Sequence, residues 1–189
     1  MSKTQHTLFR DFLFLAALGF CALLVIVLPF LNPPGQKAVQ GTPPPGNLVV
    51  LITWKPGPID VDLWLSSPKD LKPVGYTNTT GELWDLLRDD LGTRRDSTPL
   101  NFENAYTRGI VPGEYVINVH CFGCEKHLPV EVLIEVSRKD KDGNVKKLLT
   151  TKVVLLRQDQ ELTALRFRLN NDLSLDRDSV NNIYKRLGG

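Results

Sequence analysis

The patterns that mark most enzymes are missing from this sequence of 189 residues. It has no glycine-rich phosphate loop, no serine–histidine–aspartate arrangement and no His-Glu-x-x-His, so it offers no catalytic reading. No block of five or six like charges occurs, which excludes a disordered charged tail. Lysine plus arginine (23) and aspartate plus glutamate (21) nearly balance. The resulting net charge of +2 is no footprint of nucleic-acid binding, and no such partner is expected. Cysteine is scarce, at three residues, and no Asp-x-Asp-x-Asp-Gly calcium loop is present.

What is there begins with an apolar stretch, Phe12–Leu31, without a charged or strongly polar residue. As a helix it would be about 30 Å long, the thickness of a bilayer's hydrocarbon core. The stretch predicts a single transmembrane helix after a stub of residues 1–11. Lys3 and Arg10 precede it, with His6 between them, and Lys37 is the only nearby cation after it. This bias expects a cytoplasmic N-terminus and a periplasmic module, in a bacterial inner membrane. A cleaved signal peptide fits less well: the apolar run is too long, and Pro29, Pro33 and Pro34 crowd the place of a small-x-small site. Asn32–Asn47, with Pro33-Pro34 and Pro43-Pro44-Pro45, reads as an extended, semi-rigid linker.

From Leu48 to Gly189 the dominant period is two. Leu48–Trp54 is a mostly apolar run rich in β-branched residues, a central strand. Asp60–Leu65 places Val61, Leu63 and Leu65 on one face and Asp60, Asp62 and Trp64 on the other. Pro73–Thr77 suggests a short strand, and Glu82–Asn104 reads as either a short helix or a loop. Strands are expected at Ala105–Val111, Glu114–Phe122, Pro129–Arg138, Lys146–Arg157 and Glu161–Asn170, with a hairpin turn at Asp140–Asn144 and a bulge in the last strand. This spacing predicts an all-β antiparallel sandwich. Asp178–Leu187 predicts a short closing helix, capped by Asp178, with Val180, Ile183, Tyr184 and Leu187 as its apolar stripe.

Several residues invite chemistry. Asp11, at the edge of the apolar helix, is a protonatable carboxylate where charge is costly, although the helix dipole and Arg10 can also account for it. Asp60, Asp62, Asp85, Asp89 and Asp90 form an acidic set able to supply oxygens to Ca²⁺, with Asp60, Asp62, Asp89 and Asp90 as the candidate ligands. His120, Cys121, Cys124 and His127 are read first as a Cys121–Cys124 disulfide or free thiols. A Zn²⁺ site from all four, or a thioredoxin-like redox pair, comes after. Cys21 is a small apolar filler. Trp54 belongs in the core, whereas Trp64, opposite Leu63 and Leu65, is the candidate for an exposed partner contact.

Two resemblances attach to these residues. Asp11, Leu13–Leu15, Phe20 and the exit Pro29-Phe30-Leu31-Asn32-Pro33 resemble the single-pass ExbD/TolR/MotB stator subunits. That likeness implies Asp11 as ion carrier, a homodimer within multi-pass ExbB/TolQ/MotA-like partners, and an outer-envelope partner for the module. Arg10 and the outer module depart from the pattern. Trp54, Asp60-Val61-Asp62-Leu63, Pro68, Asp89-Asp90, Gly92, Glu103-Asn104, Pro112-Gly113, Tyr115 and Val119 are similar to YfaP-like envelope domains. That second likeness implies a sandwich and no activity. Two classes of function follow: a subunit of an ion-driven inner-membrane motor, with the proton as the expected ion, and a passive anchored module that binds a ligand or partner.

Overall fold

A computed structural model describes residues 3–31, 47–92, 99–140 and 142–188. The chain divides into two units, Met1–Thr42 and Pro43–Gly189. In the first, Lys3–Leu31 form one helix, α1. It begins well ahead of Phe12, so Arg10 and Asp11 lie inside it. Among the described residues no helix is long and apolar enough to cross a membrane. The expected single-pass placement in a bacterial inner membrane, with a periplasmic module, is corrected accordingly. The linker expected at residues 32–47 lies outside the described residues except for Asn47.

The second unit is built from nine strands: β1 (Leu48–Trp54), β2 (Asp60–Ser66), β3 (Trp84–Arg88), β4 (Asn101–Thr107), β5 (Gly113–Gly123), β6 (Val130–Lys139), β7 (Val145–Leu155), β8 (Glu161–Leu169) and β9 (Leu175–Asn181). They form two antiparallel sheets, ordered β3-β4-β1-β6-β7 and β2-β5-β8-β9. Strand alternation sets the layers. Leu48, Val50, Ile52 and Trp54 of β1, and Val130, Val132, Ile134 and Val136 of β6, turn inward. They meet Val61, Leu63 and Leu65 of β2 and Tyr115, Ile117 and Val119 of β5 in one core. Its aromatic centre is Tyr115, stacked on Phe167 at 5.4 Å and edge-on to Trp84 at 6.3 Å. The Tyr115 hydroxyl donates to Val111 O (2.9 Å) and accepts from Val111 N (3.1 Å), which satisfies the turn before β5.

Most expected strands are found, including the bulge in β8, where the register steps from Leu165 to Thr163 opposite Ile117 and Asn118. Val74 pairs with Leu65 through two backbone bonds of 2.8 Å, an isolated bridge in place of the short strand expected at Pro73–Thr77. The ambiguous stretch Glu82–Asn104 contains β3 and the start of β4. The expected closing helix is not there. Leu175–Asn181 pair with β8, and residues 182–188 continue without helical structure. Their backbone groups bond to side chains of the sheet beneath, which replaces the i−4 carbonyls a helix would use.

Candidate functional site

The acidic residues converge at a seam between the sheets. β2 is an edge strand, and its outward residues Asp60 and Asp62 stand opposite Gly123 and His120 of β5. The open backbone edge of β2 is met from the other sheet. Glu103 points inward from β4 and is 1% exposed. Its Oε2 accepts from Leu63 N at 2.8 Å and its Oε1 from Asp90 N at 3.2 Å. Glu103 thereby ties both the strand edge and the loop after β3 to one carboxylate. That loop is braced by Asp90, whose Oδ1 accepts from Gly92 N (3.0 Å) and whose Oδ2 accepts from Phe102 N (2.9 Å) and Arg88 Nη2 (3.0 Å). Gly92 sits at φ +68°, and a Cβ there would come within 2.9 Å of Ile59 N, so only glycine lets the loop lie so close to β2.

This bracing leaves carboxylate oxygens of Asp62, Asp89 and Glu103 all within 4.8 Å of one another, the one group of three or more metal-type ligands among the described residues. Asp62 and Glu103 are buried and Asp89 is exposed. Among the described residues the basic group on Asp62 is His120, with Nδ1 2.9 Å from Oδ2. Burial and crowding together raise the carboxyls of this seam. Burial, then the charges of Asp62, Asp89 and Asp90, push Asp60 up to about 7. Burial also raises Asp62, against the pull of its bond to His120. Burial pushes Glu103 well above the usual carboxylate range, although its two backbone donors oppose the shift. The bond to Asp62 raises His120. One oxygen of Asp60, Oδ1, is buried with no hydrogen-bond partner. A hard cation suits such a set: it can replace the missing protons and accept several oxygens at once.

Two of the four expected ligands, Asp62 and Asp89, belong to the three-carboxylate group. Asp60 lies outside it, and the charges of Asp62 and Asp89 help to raise its carboxyl. Asp90 is used up by three protein donors, and Asp85 by Arg108 at 2.6 Å. Glu103 was missed as a ligand. The signal for it was a carboxylate on the inward side of a strand that sequence patterning did not reveal.

The cysteine–histidine cluster is not assembled for zinc. Cys121 and Cys124 form a disulfide, with Cα atoms 5.7 Å apart and both residues fully buried. His120 turns to Asp62, while His127 lies on a short 3₁₀ turn, Glu125–His127, where its carbonyl accepts from Lys55 Nζ at 2.9 Å. Trp64 is not the exposed contact expected of it. It is 5% exposed, flanked by Gly75 and Gly188 and edge-on to Tyr76 at 5.4 Å. Trp54 is in the core, its Nε1 donating to Ile59 O at 2.9 Å. Asp11 lies on α1 with its side chain 59% exposed, 3.4 Å from Arg10 Nη2. Compared with family models, curated proteins and solved structures, the chain matches none.

Proposed function

We propose that the β-unit is a non-enzymatic binding module whose acidic seam takes a hard divalent cation of the Ca²⁺ kind. The observation that carries this reading is the approach of Asp62, Asp89 and Glu103 within 4.8 Å, two of them buried. Three carboxylates that close repel one another unless protons or a cation intervene. Each Glu103 oxygen accepts a single backbone bond and keeps a lone pair for an ion. Asp89, exposed on the loop after β3, leaves room for water in the remaining positions of a six- to eight-coordinate ion. The cation would clamp the β3–β4 connection to the edge of β2 and so set the shape this end of the unit presents to a partner. The stator reading gains no support from this geometry. It needs a membrane-crossing helix, and Asp11 is an exposed residue beside its neighbouring arginine.

Calorimetric titration with Ca²⁺ and with Mg²⁺ tests the proposal, alongside thermal unfolding. Saturation at about one hundred times Kd stabilises the folded chain by about 2.7 kcal/mol. Asp62→Asn and Glu103→Gln are expected to remove the binding heat and the rise in Tm. Absence of both effects in the unaltered chain at millimolar Ca²⁺ would sink the reading.

A further inference from the structure

The chain covers part of its own outer surface. Trp64, Asn118 and Thr163 stand in register across β2, β5 and β8, on the face turned away from the core. After β9, residues 182–188 leave the ladder and cross this row as an extended strap. Arg166 Nη1 donates to Ile183 O at 3.3 Å. Lys185 N donates to Thr163 Oγ1 at 2.9 Å, and Lys185 O accepts from Asn118 Nδ2 at 2.8 Å. Leu187 N donates to Glu161 Oε1 at 2.9 Å. Gly188 then lies against the Trp64 indole, where a Cβ would fall 2.3 Å from the ring.

Two features distinguish this contact from ordinary packing. The strap is held largely by its backbone: Ile183 is 67% and Tyr184 55% exposed, and Leu187 is half-buried. The floor, in contrast, is buried, with Asn118 at 0% and Thr163 at 4%. The strap also leaves that floor unsatisfied. Trp64 Nε1, Asn118 Oδ1 and Arg166 Nε are all buried without a hydrogen-bond partner. Buried polar groups are normally paired, so these three mark polar positions that the strap leaves without a partner. Two carboxylates meet the strap's polar groups: Glu114 holds Lys185 Nζ at 3.0 Å while its other oxygen pairs with Arg166 Nη2 at 2.7 Å, and Glu161 accepts from the Tyr184 hydroxyl at 3.0 Å.

We propose that this face is a binding groove for an extended basic peptide segment of a partner protein, with glycine at the position over Trp64, and that residues 182–188 occupy it in cis until that segment displaces them. Recognition is through backbone bonds, as in the other modes by which domains take extended peptides. The tethered strap competes at an effective concentration in the millimolar range.

The test uses the full chain and a labelled synthetic peptide with the sequence of residues 182–189, read by fluorescence anisotropy. Gly188→Val drives the strap off the indole, and Lys185→Glu sets it against Glu114. Each is expected to bind the peptide about tenfold or more tighter than the unaltered chain does. A peptide with valine at the Gly188 position should bind none of them. If Gly188→Val loses its near-ultraviolet circular dichroism, Lys185→Glu carries the same comparison. The proposal is overturned if a folded variant fails to bind the peptide at millimolar concentration, or binds no better than the unaltered chain. A dimer of the unaltered chain in light scattering that has exchanged its straps overturns the cis arrangement.

Discussion

Asp60, with its carboxyl held up to about 7, makes a sharp statement about pH. In an unfolded chain the same group titrates near about 3.9. A carboxyl whose folded value is the higher one binds more protons when folded. Its stabilising contribution is therefore complete below pH ~4 and lost by pH ~7. Glu103 and Asp62 are raised as well and act with the same sign. His120 is raised by its bond to Asp62. Its contribution is present below its unfolded value of about 6.5 and fades as pH rises through the higher folded one, again in the same direction. Asp85 and Glu114, held low by Arg108 and Arg166, act oppositely, and only below pH ~4. The metal-free chain should thus lose resistance to urea between about pH 5 and 7.5. Asp60→Asn should flatten the slope, and saturating Ca²⁺ should reverse it. Urea midpoints at several pH values decide the matter, and a slope unchanged by Asp60→Asn would count against the crowding that motivates it. Part of this was legible in the residues: the Asp-Val-Asp-Leu alternation puts two carboxylates on one face. Glu103 was not, because its role comes from facing inward across the gap between sheets, a relation that no local spacing encodes.

At the scale of elements, the long strands could be read because their apolar residues alternate without interruption. The inward residues of β4 are Asn101, Glu103, Ala105 and Thr107. Three of the four are polar, so period-two patterning fails there although the strand is real. Their polar atoms serve local bonds instead: Asn101 Nδ2 donates to Lys55 O (3.0 Å) and Gly57 O (2.9 Å), and Thr107 Oγ1 accepts from Leu48 N at 2.9 Å. The closing helix failed for a related reason. Val180, Ile183, Tyr184 and Leu187 have helical spacing, but Asn118, Glu161 and Thr163 offer the strap's backbone ready partners on a neighbouring sheet. The end of β5 supplies a further prediction. Gln158 Oε1 accepts from Cys124 N and Glu125 N, both at 3.1 Å, so the turn after the strand is held by hydrogen bonds as well as by the disulfide. A loop this short constrains the unfolded chain modestly, by about 2 kcal/mol. Cys121→Ser with Cys124→Ser should cost about that much in urea unfolding and leave the circular dichroism of the sheets intact. Complete unfolding of the double variant at 25 °C would show that the bridge matters more than its loop length implies.

For the whole molecule, the exposed rims of the sheets matter most. β7 is an outer strand of the five-stranded sheet and carries Lys146, Lys147 and Lys152. Lys147 pairs with Glu135, and Lys152 with Glu131 at 2.7 Å, both across the β6–β7 ladder. Lysines on an outer strand oppose pairing with another chain. Replacing all three by threonine keeps strand propensity and removes that repulsion. Light scattering should then show concentration-dependent association at pH 7, and an unaltered monomer would contradict the assignment. The interior of the same sheet has a different consequence. β1 is its middle strand, bonded along its length to β4 on one side and β6 on the other. Asn47 extends both ladders by one step, donating to Thr107 O at 3.0 Å and accepting from Lys139 N at 2.8 Å. A pull applied at residue 47 along the strand would load two antiparallel ladders in shear at the same moment and could not peel them apart one bond at a time. The β-unit is therefore gripped at a strand bonded on both sides, and tension arriving through residue 47 would be borne by the sheet as a body.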